Sequence, residues 1–87
     1  MKNLFIFGAG GHACSVANIA ISLNYKIIAF IDDNSLHSTL LDIPVISQKE
    51  FLSRYKNEYF FIASGDNFVR EKLVIKYKKI LKNVKFP

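Results

Sequence analysis

Three stretches of this chain are apolar at consecutive positions rather than at alternate ones: residues 3–7, residues 27–31 (Ile27-Ile28-Ala29-Phe30-Ile31) and Tyr59-Phe60-Phe61-Ile62-Ala63. Side chains of a strand point alternately to its two faces, so an unbroken apolar run is what a parallel strand covered on both sides requires. Between the first two runs, Val16, Ile19, Ala20 and Leu23 recur at helical spacing. Ser47-Gln48-Lys49-Glu50 is a capping-box pattern that opens a short helix reaching Tyr55. Asp66 or Asn67 is placed to cap a last helix, whose apolar stripe is Val69, Leu73, Val74, Tyr77, Ile80 and Leu81. A short strand is read at Ile43-Pro44-Val45-Ile46, and a new extended segment begins at Lys85-Phe86-Pro87. Strands that alternate with helices predict one α/β domain over residues 1–87. Right-handed crossovers give it three layers, with a parallel sheet of 3–4 strands in the order 2-1-3-4 and helices on both faces.

The first strand runs straight into Gly8-Ala9-Gly10-Gly11-His12-Ala13, and the first helix opens directly after it. A glycine-rich turn between strand and helix aims backbone N–H groups and a helix N-terminus at one point, which suits an anion. Gly8 allows the sharp turn, Gly10 lets a phosphate approach the backbone, and Ala13 lets the helix pack close on its strand. Two more loops fall on the same edge of a parallel sheet. Asp32-Asp33-Asn34 follows the second strand, where an acid accepts hydrogen bonds from a ribose; the same residues also read as a plain polar turn. Ser64-Gly65-Asp66-Asn67 follows the third strand and reads either as a second anion or sugar contact or as simple helix capping.

Charge alters this picture less than its total suggests. The net charge of +5 looks like a nucleic-acid signal, but residues 67–87 hold seven Lys/Arg against one acid, while residues 1–66 carry five Lys/Arg and six acids. Those cations sit largely on the outer face of one helix without aromatic interleaving, so a solvated face is expected and nucleic-acid binding is not. No apolar stretch approaches the roughly 20 residues of a membrane span, so no membrane partner is expected. The single Cys14 excludes an internal disulfide and fits a reducing cytoplasm, the expected location.

Four other side chains are candidates for chemistry. Arg70 falls on the sheet-facing arc in the first turn of the last helix, placed to brace Asp32, Asp33 or Asp66 or to meet a ligand phosphate. His12 is read as facing inward beside Val16 and Ile19, suited to ligand contact rather than to general-base catalysis. His37 has no other plausible metal ligand near it in sequence, and no metal site is expected. Cys14 points away from the apolar stripe, as does Ile21, on a first helix that carries no charged residue; its bare outer face suits a covering partner.

Taken in order, Phe7-Gly8-Ala9-Gly10-Gly11-His12-Ala13, Phe30-Ile31-Asp32-Asp33 and Ser64-Gly65-Asp66-Asn67-Phe68-Val69-Arg70 resemble the successive signatures of the PglD/NeuD-type sugar acetyltransferases. The Ile43-Pro44-Val45-Ile46 segment before a helix is also similar to that family's pattern, and the resemblance spans essentially the whole chain. Cys14-Ser15 after the histidine and Ser64 in place of an aliphatic residue depart from it. The resemblance implies a Rossmann-like domain that binds a nucleotide-activated amino sugar or a sialic-acid-type sugar, UDP- or CMP-linked. It implies substrate binding by Gly8, Gly10, Gly11, His12, Asp32, Asp33, Gly65, Asp66 and Asn67, with Arg70 structural or on a phosphate. In that family a left-handed β-helix of hexapeptide repeats follows, binds acetyl-CoA, carries the catalytic histidine and forms homotrimers. No hexapeptide repeat occurs in this sequence, so no catalytic residue and no cofactor are expected within these residues, and acetyl-CoA is expected of the full-length enzyme. Two alternatives stand beside this reading. One is a small NAD(P)-binding module, on the strength of Asp32 lying 22 residues beyond Gly10; the other is a non-enzymatic nucleotide-binding adaptor.

Overall fold

The computed structural model of the protein describes residues 2–55, 60–64, 67–81 and 84–85. The first apolar run is strand β1 (Lys2–Phe7), followed by helix α1 (Gly11–Ser22) and strand β2 (Tyr25–Ile31). Then come β3 (Thr39–Leu40), β4 (Ile43–Ile46), α2 (Gln48–Tyr55), β5 (Phe60–Ser64), α3 (Asn67–Ile80) and β6 (Val84–Lys85). They form one sheet in the order β3-β4-β2-β1-β5-β6, parallel except for the β3–β4 pair. Strands β2-β1-β5-β6 run in the expected 2-1-3-4 order, and the full order differs from it by the addition of β4 and β3 beyond β2. The expected count of 3–4 strands is too small, because β4 pairs in parallel with β2 through Phe30↔Val45 and Ile31↔Ile46, and β3 folds back on β4.

Two layers of side chains cover the two faces. On one side Phe5, Phe7, Ala29, Ile31, Phe60 and Ile62 pack against Phe51 of α2 and Leu73 and Tyr77 of α3, with Leu81 just beyond it. This face is aromatic: the Phe5 ring centre lies 4.8 Å from Phe51, 4.8 Å from Tyr55 and 5.2 Å from Phe60, in edge-on arrangements that ring quadrupoles favour. On the other side Leu4, Ile6 and Phe30 meet Ala13, Ala17 and Ala20 of α1.

The stripe expected on α1 is corrected here. Three alanines at helical spacing face the sheet, while Ile19 and Leu23 are 62% and 64% exposed. Small side chains let the helix axis approach the strands, so the closest-packed face is not the one with the largest residues. Asn24, with φ of 66°, ends α1 in the left-handed conformation that asparagine tolerates. Of the stripe expected on α3, Leu73, Tyr77 and Leu81 are buried, whereas Ile80 is 43% exposed.

Candidate functional site

The carboxyl ends of β1, β2, β4 and β5 share one edge of the sheet, and a cavity of about 480 Å³ opens there. Phe7, Gly8, Gly10, His12 and Ala13 line it from the β1–α1 turn, Ile31, Asp32, Asp33 and Asn34 from the end of β2, with Gln48 and Ser64 completing it. Ligand sites of open α/β sheets form at this edge, beside the strand where the order reverses, and cavities of this volume hold nucleotide-sized molecules.

Each part of the wall has a local cause. Gly8 takes φ of 95°, a conformation other residues avoid, and its N–H donates to the Ile31 carbonyl at 2.8 Å. That bond ties the start of the turn to the end of β2. Gly10 and Gly11 are different: neither has a positive φ, and a Cβ built on either meets no protein atom within 4 Å. Among the described residues nothing asks for glycine at those positions. Gly10 is the N-cap of α1 and offers no side-chain cap, and no acidic residue stands in the first turn. The first intrahelical bond runs from Cys14 N–H to the Gly10 carbonyl at 3.1 Å, so the N–H groups of Gly11, His12 and Ala13 keep their donor capacity at the positive end of the helix dipole.

Asp32 closes an Asx turn, its Oδ1 accepting from Asn34 N–H at 2.9 Å. Asp33 instead reaches α2. Its Oδ1 accepts from the Gln48 backbone N–H at 2.8 Å and its Oδ2 from the Gln48 side chain Nε2 at 3.2 Å. Gln48 Oε1 accepts in turn from Tyr77 Oη at 2.6 Å and from Lys76 Nζ at 2.8 Å. Burial pushes the Tyr77 phenol up to about 12, with the Asp33 charge adding to it, so this hydroxyl holds its proton and donates.

The expected site residues divide accordingly. Gly8, Gly10, His12, Asp32 and Asp33 line the cavity together, and Gly11, the first residue of α1, stands between two of them in sequence without lining it. His12, expected to face inward, is exposed at the rim. Arg70 stands outside the cavity, in a separate apolar groove of about 240 Å³ that it lines with Val16, Ile19, Leu23 and Ser64. Gly65 and Asp66 lie outside the described residues, and so does the side chain of Asn67. In the sequence Gln48 stands out only as part of a capping box. Its signal was the box itself, since a helix that starts right after a parallel strand starts at the ligand edge. Among the described residues no group of three or more His, Cys, Asp or Glu is placed to hold a metal ion. No helix among them is long and apolar enough to cross a membrane.

Comparison with known proteins bears on this edge. The profile of the PglD N-terminal domain matches residues 3–77, a stretch that includes every described side chain of the cavity. The chain belongs to the PglD N-terminal domain family. A similar sequence is the uncharacterized protein L142 of Acanthamoeba polyphaga mimivirus, 31% identical over 70 residues that make up 80% of this chain. This PglD N-terminal domain spans 14% of that relative's length. Among solved structures, it is similar to the crystal structure of UDP-D-quinovosamine 4-dehydrogenase from Vibrio fischeri, with a TM-score of 0.65 and 25% identity, covering 98% of this chain and 75% of that one.

Proposed function

We propose that this PglD N-terminal domain binds a nucleotide-activated sugar, as the substrate-holding part of an acetyl-CoA-dependent sugar acetyltransferase of surface-glycan biosynthesis. The diphosphate sits at the uncapped start of α1, on the N–H groups of Gly11, His12 and Ala13, and the ribose on the Asp32 carboxylate. The observation that carries this reading is the pair of glycines for which no described residue gives a structural reason. Gly10 and Gly11 leave open space over a helix N-terminus that no side chain caps. Glycine costs helix stability, and close approach of a phosphate to the backbone accounts for it. The family and a structural neighbour named for a UDP-sugar support a nucleotide sugar as guest. Acetyl transfer itself is assigned to a β-helical domain of the same enzyme, as the resemblance to the sugar acetyltransferases implies.

Titration calorimetry of the chain with UDP-N-acetylglucosamine, a CMP-linked sugar and NADH tests the proposal. Heat of binding is expected with a nucleotide sugar, and Gly10→Ala is expected to weaken it about tenfold or more while leaving the melting temperature nearly unchanged, since the added methyl meets no protein atom. Binding of NADH without nucleotide sugar, or a Gly10→Ala variant with full affinity, overturns the reading.

A further inference from the structure

The hydrogen-bond chain across the α2 start does more than brace a loop. An asparagine or glutamine amide in a binding site can ordinarily turn over and offer either its oxygen or its N–H₂ to a ligand. Gln48 has lost that freedom. Lys76 is an ammonium and only donates, so Oε1 must face it, at 2.8 Å. Asp33 is a carboxylate and only accepts, so Nε2 must face it, at 3.2 Å. Turned over, the amide would set N–H against an ammonium and oxygen against a carboxylate. Tyr77, buried to 0% exposure in the aromatic core, adds a second donor to Oε1 at 2.6 Å. Both acceptor directions of the Gln48 oxygen are filled, and one of the two Nε2 hydrogens is spent on Asp33. Among the described residues the other has no partner, on a side chain that lines the cavity.

Position along the cavity says what that hydrogen meets. With phosphate at Gly10 and Gly11 and ribose at Asp32, a nucleotide runs from β1 past the end of β2 toward β4. The next side chain in that direction is Gln48, at the start of the helix that follows β4.

We propose that Gln48 reads the nucleobase as a fixed hydrogen-bond donor, so that the cavity selects uracil, with a carbonyl at its 4-position, over cytosine, with an amino group there. This rests on the nucleotide reading above and adds to it the residue that chooses the base. A cytosine amino group would bring N–H against N–H, leaving two donors unpaired in a confined site, a form of exclusion that a freely turning glutamine could not enforce.

The test is calorimetric titration of UDP and CDP into the chain, its Gln48→Leu variant and its Lys76→Met variant, with thermal melts to verify folding. Wild type is expected to hold UDP about tenfold or more tighter than CDP, a difference on the scale of one hydrogen bond with its mispaired alternative. Gln48→Leu is expected to bring the ratio to within about twofold by weakening UDP. Lys76 is exposed and outside the core, so Lys76→Met serves if the leucine variant does not fold; it releases one side of the lock and is expected to lower the ratio about threefold. Equal binding of UDP and CDP by wild type overturns the role of Gln48 while the nucleotide site stands. So does a ratio that stays at its wild-type value in Gln48→Leu, or in Lys76→Met where the leucine variant does not fold. Failure of both nucleotides to bind wild type overturns the nucleotide reading itself and this inference with it.

Discussion

Two helices begin on the same edge of the sheet and begin in opposite ways. At the start of α2, Ser47 Oγ accepts from Glu50 N–H at 3.1 Å, Asp33 accepts from Gln48 N–H, and Glu50 adds a negative charge to the first turn. At the start of α1 there is a glycine, no side-chain cap and no acid. Both ends carry the same orphan donors and the same partial positive charge. One spends them inside the protein and becomes a rigid post; the other leaves them to solvent or to a ligand. The contrast separates what holds the site from what the site holds, and it also divides Asp32 from Asp33. These neighbours lie one residue apart, yet Asp33 is committed to α2 while Asp32 has an oxygen beyond its Asx turn for a guest.

The largest expected effect comes from breaking the closed end with pH. Tyr77 ties α3 to Gln48, and its phenol is pushed up to about 12 from an ordinary 10.0 by burial and then by Asp33. A raised folded value favours the protonated form, so the stability it contributes is complete below pH 10 and is lost as pH rises from there through about 12. By the upper end the loss amounts to about 2 kcal/mol. Lysine titration also acts in this range, so the measurement is a difference: urea unfolding of wild type and Tyr77→Phe from pH 8 to 11.5. The wild-type curve is expected to fall more steeply above pH 10, and parallel curves would contradict the role given to this hydroxyl.

Next in size is the cap that Asp33 provides. Asp33→Ala removes one acceptor from the α2 backbone and one from the Gln48 side chain, and a loss of about 1–2 kcal/mol is expected. For a domain of this size that lowers the melting temperature by roughly 5–10 °C. Asp32→Ala, which breaks only a local Asx turn, is expected to leave the melt within about 2 °C and to act on ligand affinity instead. Equal thermal costs for the two substitutions would erase the division between them.

Much of this edge was legible in the sequence because its signals are local. The continuous apolar runs located β1, β2 and β5, and Gly8 through Ala13 between strand and helix periodicity located the open end of α1. What was not legible depends on non-local facts. The β3–β4 hairpin turns on Leu41 and Asp42, both at positive φ (52° and 60°), with no glycine to announce it. On α1 the sequence points rightly to Ala13 and Ala20, but side-chain hydrophobicity also points to the exposed Ile19 and Leu23, whereas close packing on the sheet selects Ala17. The capping box marks Gln48 as the start of a helix but not its role: its partners Lys76 and Tyr77 are 28 and 29 residues away, and only the packing of α3 beside α2 brings them together.

A smaller effect on stability than that of Asp33→Ala is the sharpest on the comparison, because it makes the open end like the closed one. Gly10 has φ of −103° and ψ of −162°, the extended geometry in which a helix N-cap residue sits. Gly10→Asp therefore supplies the missing cap and a negative charge at the positive end of α1, and a gain of about 0.5–1 kcal/mol is expected in urea unfolding. The same carboxylate occupies the N–H groups assigned to the diphosphate and repels it, so affinity for UDP is expected to fall by about tenfold or more in calorimetry. A variant that is more stable and no longer binds shows that the bare helix end is kept bare for a ligand. A variant that is more stable and binds UDP as before places the phosphates elsewhere, and the lack of a cap on α1 would then have no functional meaning.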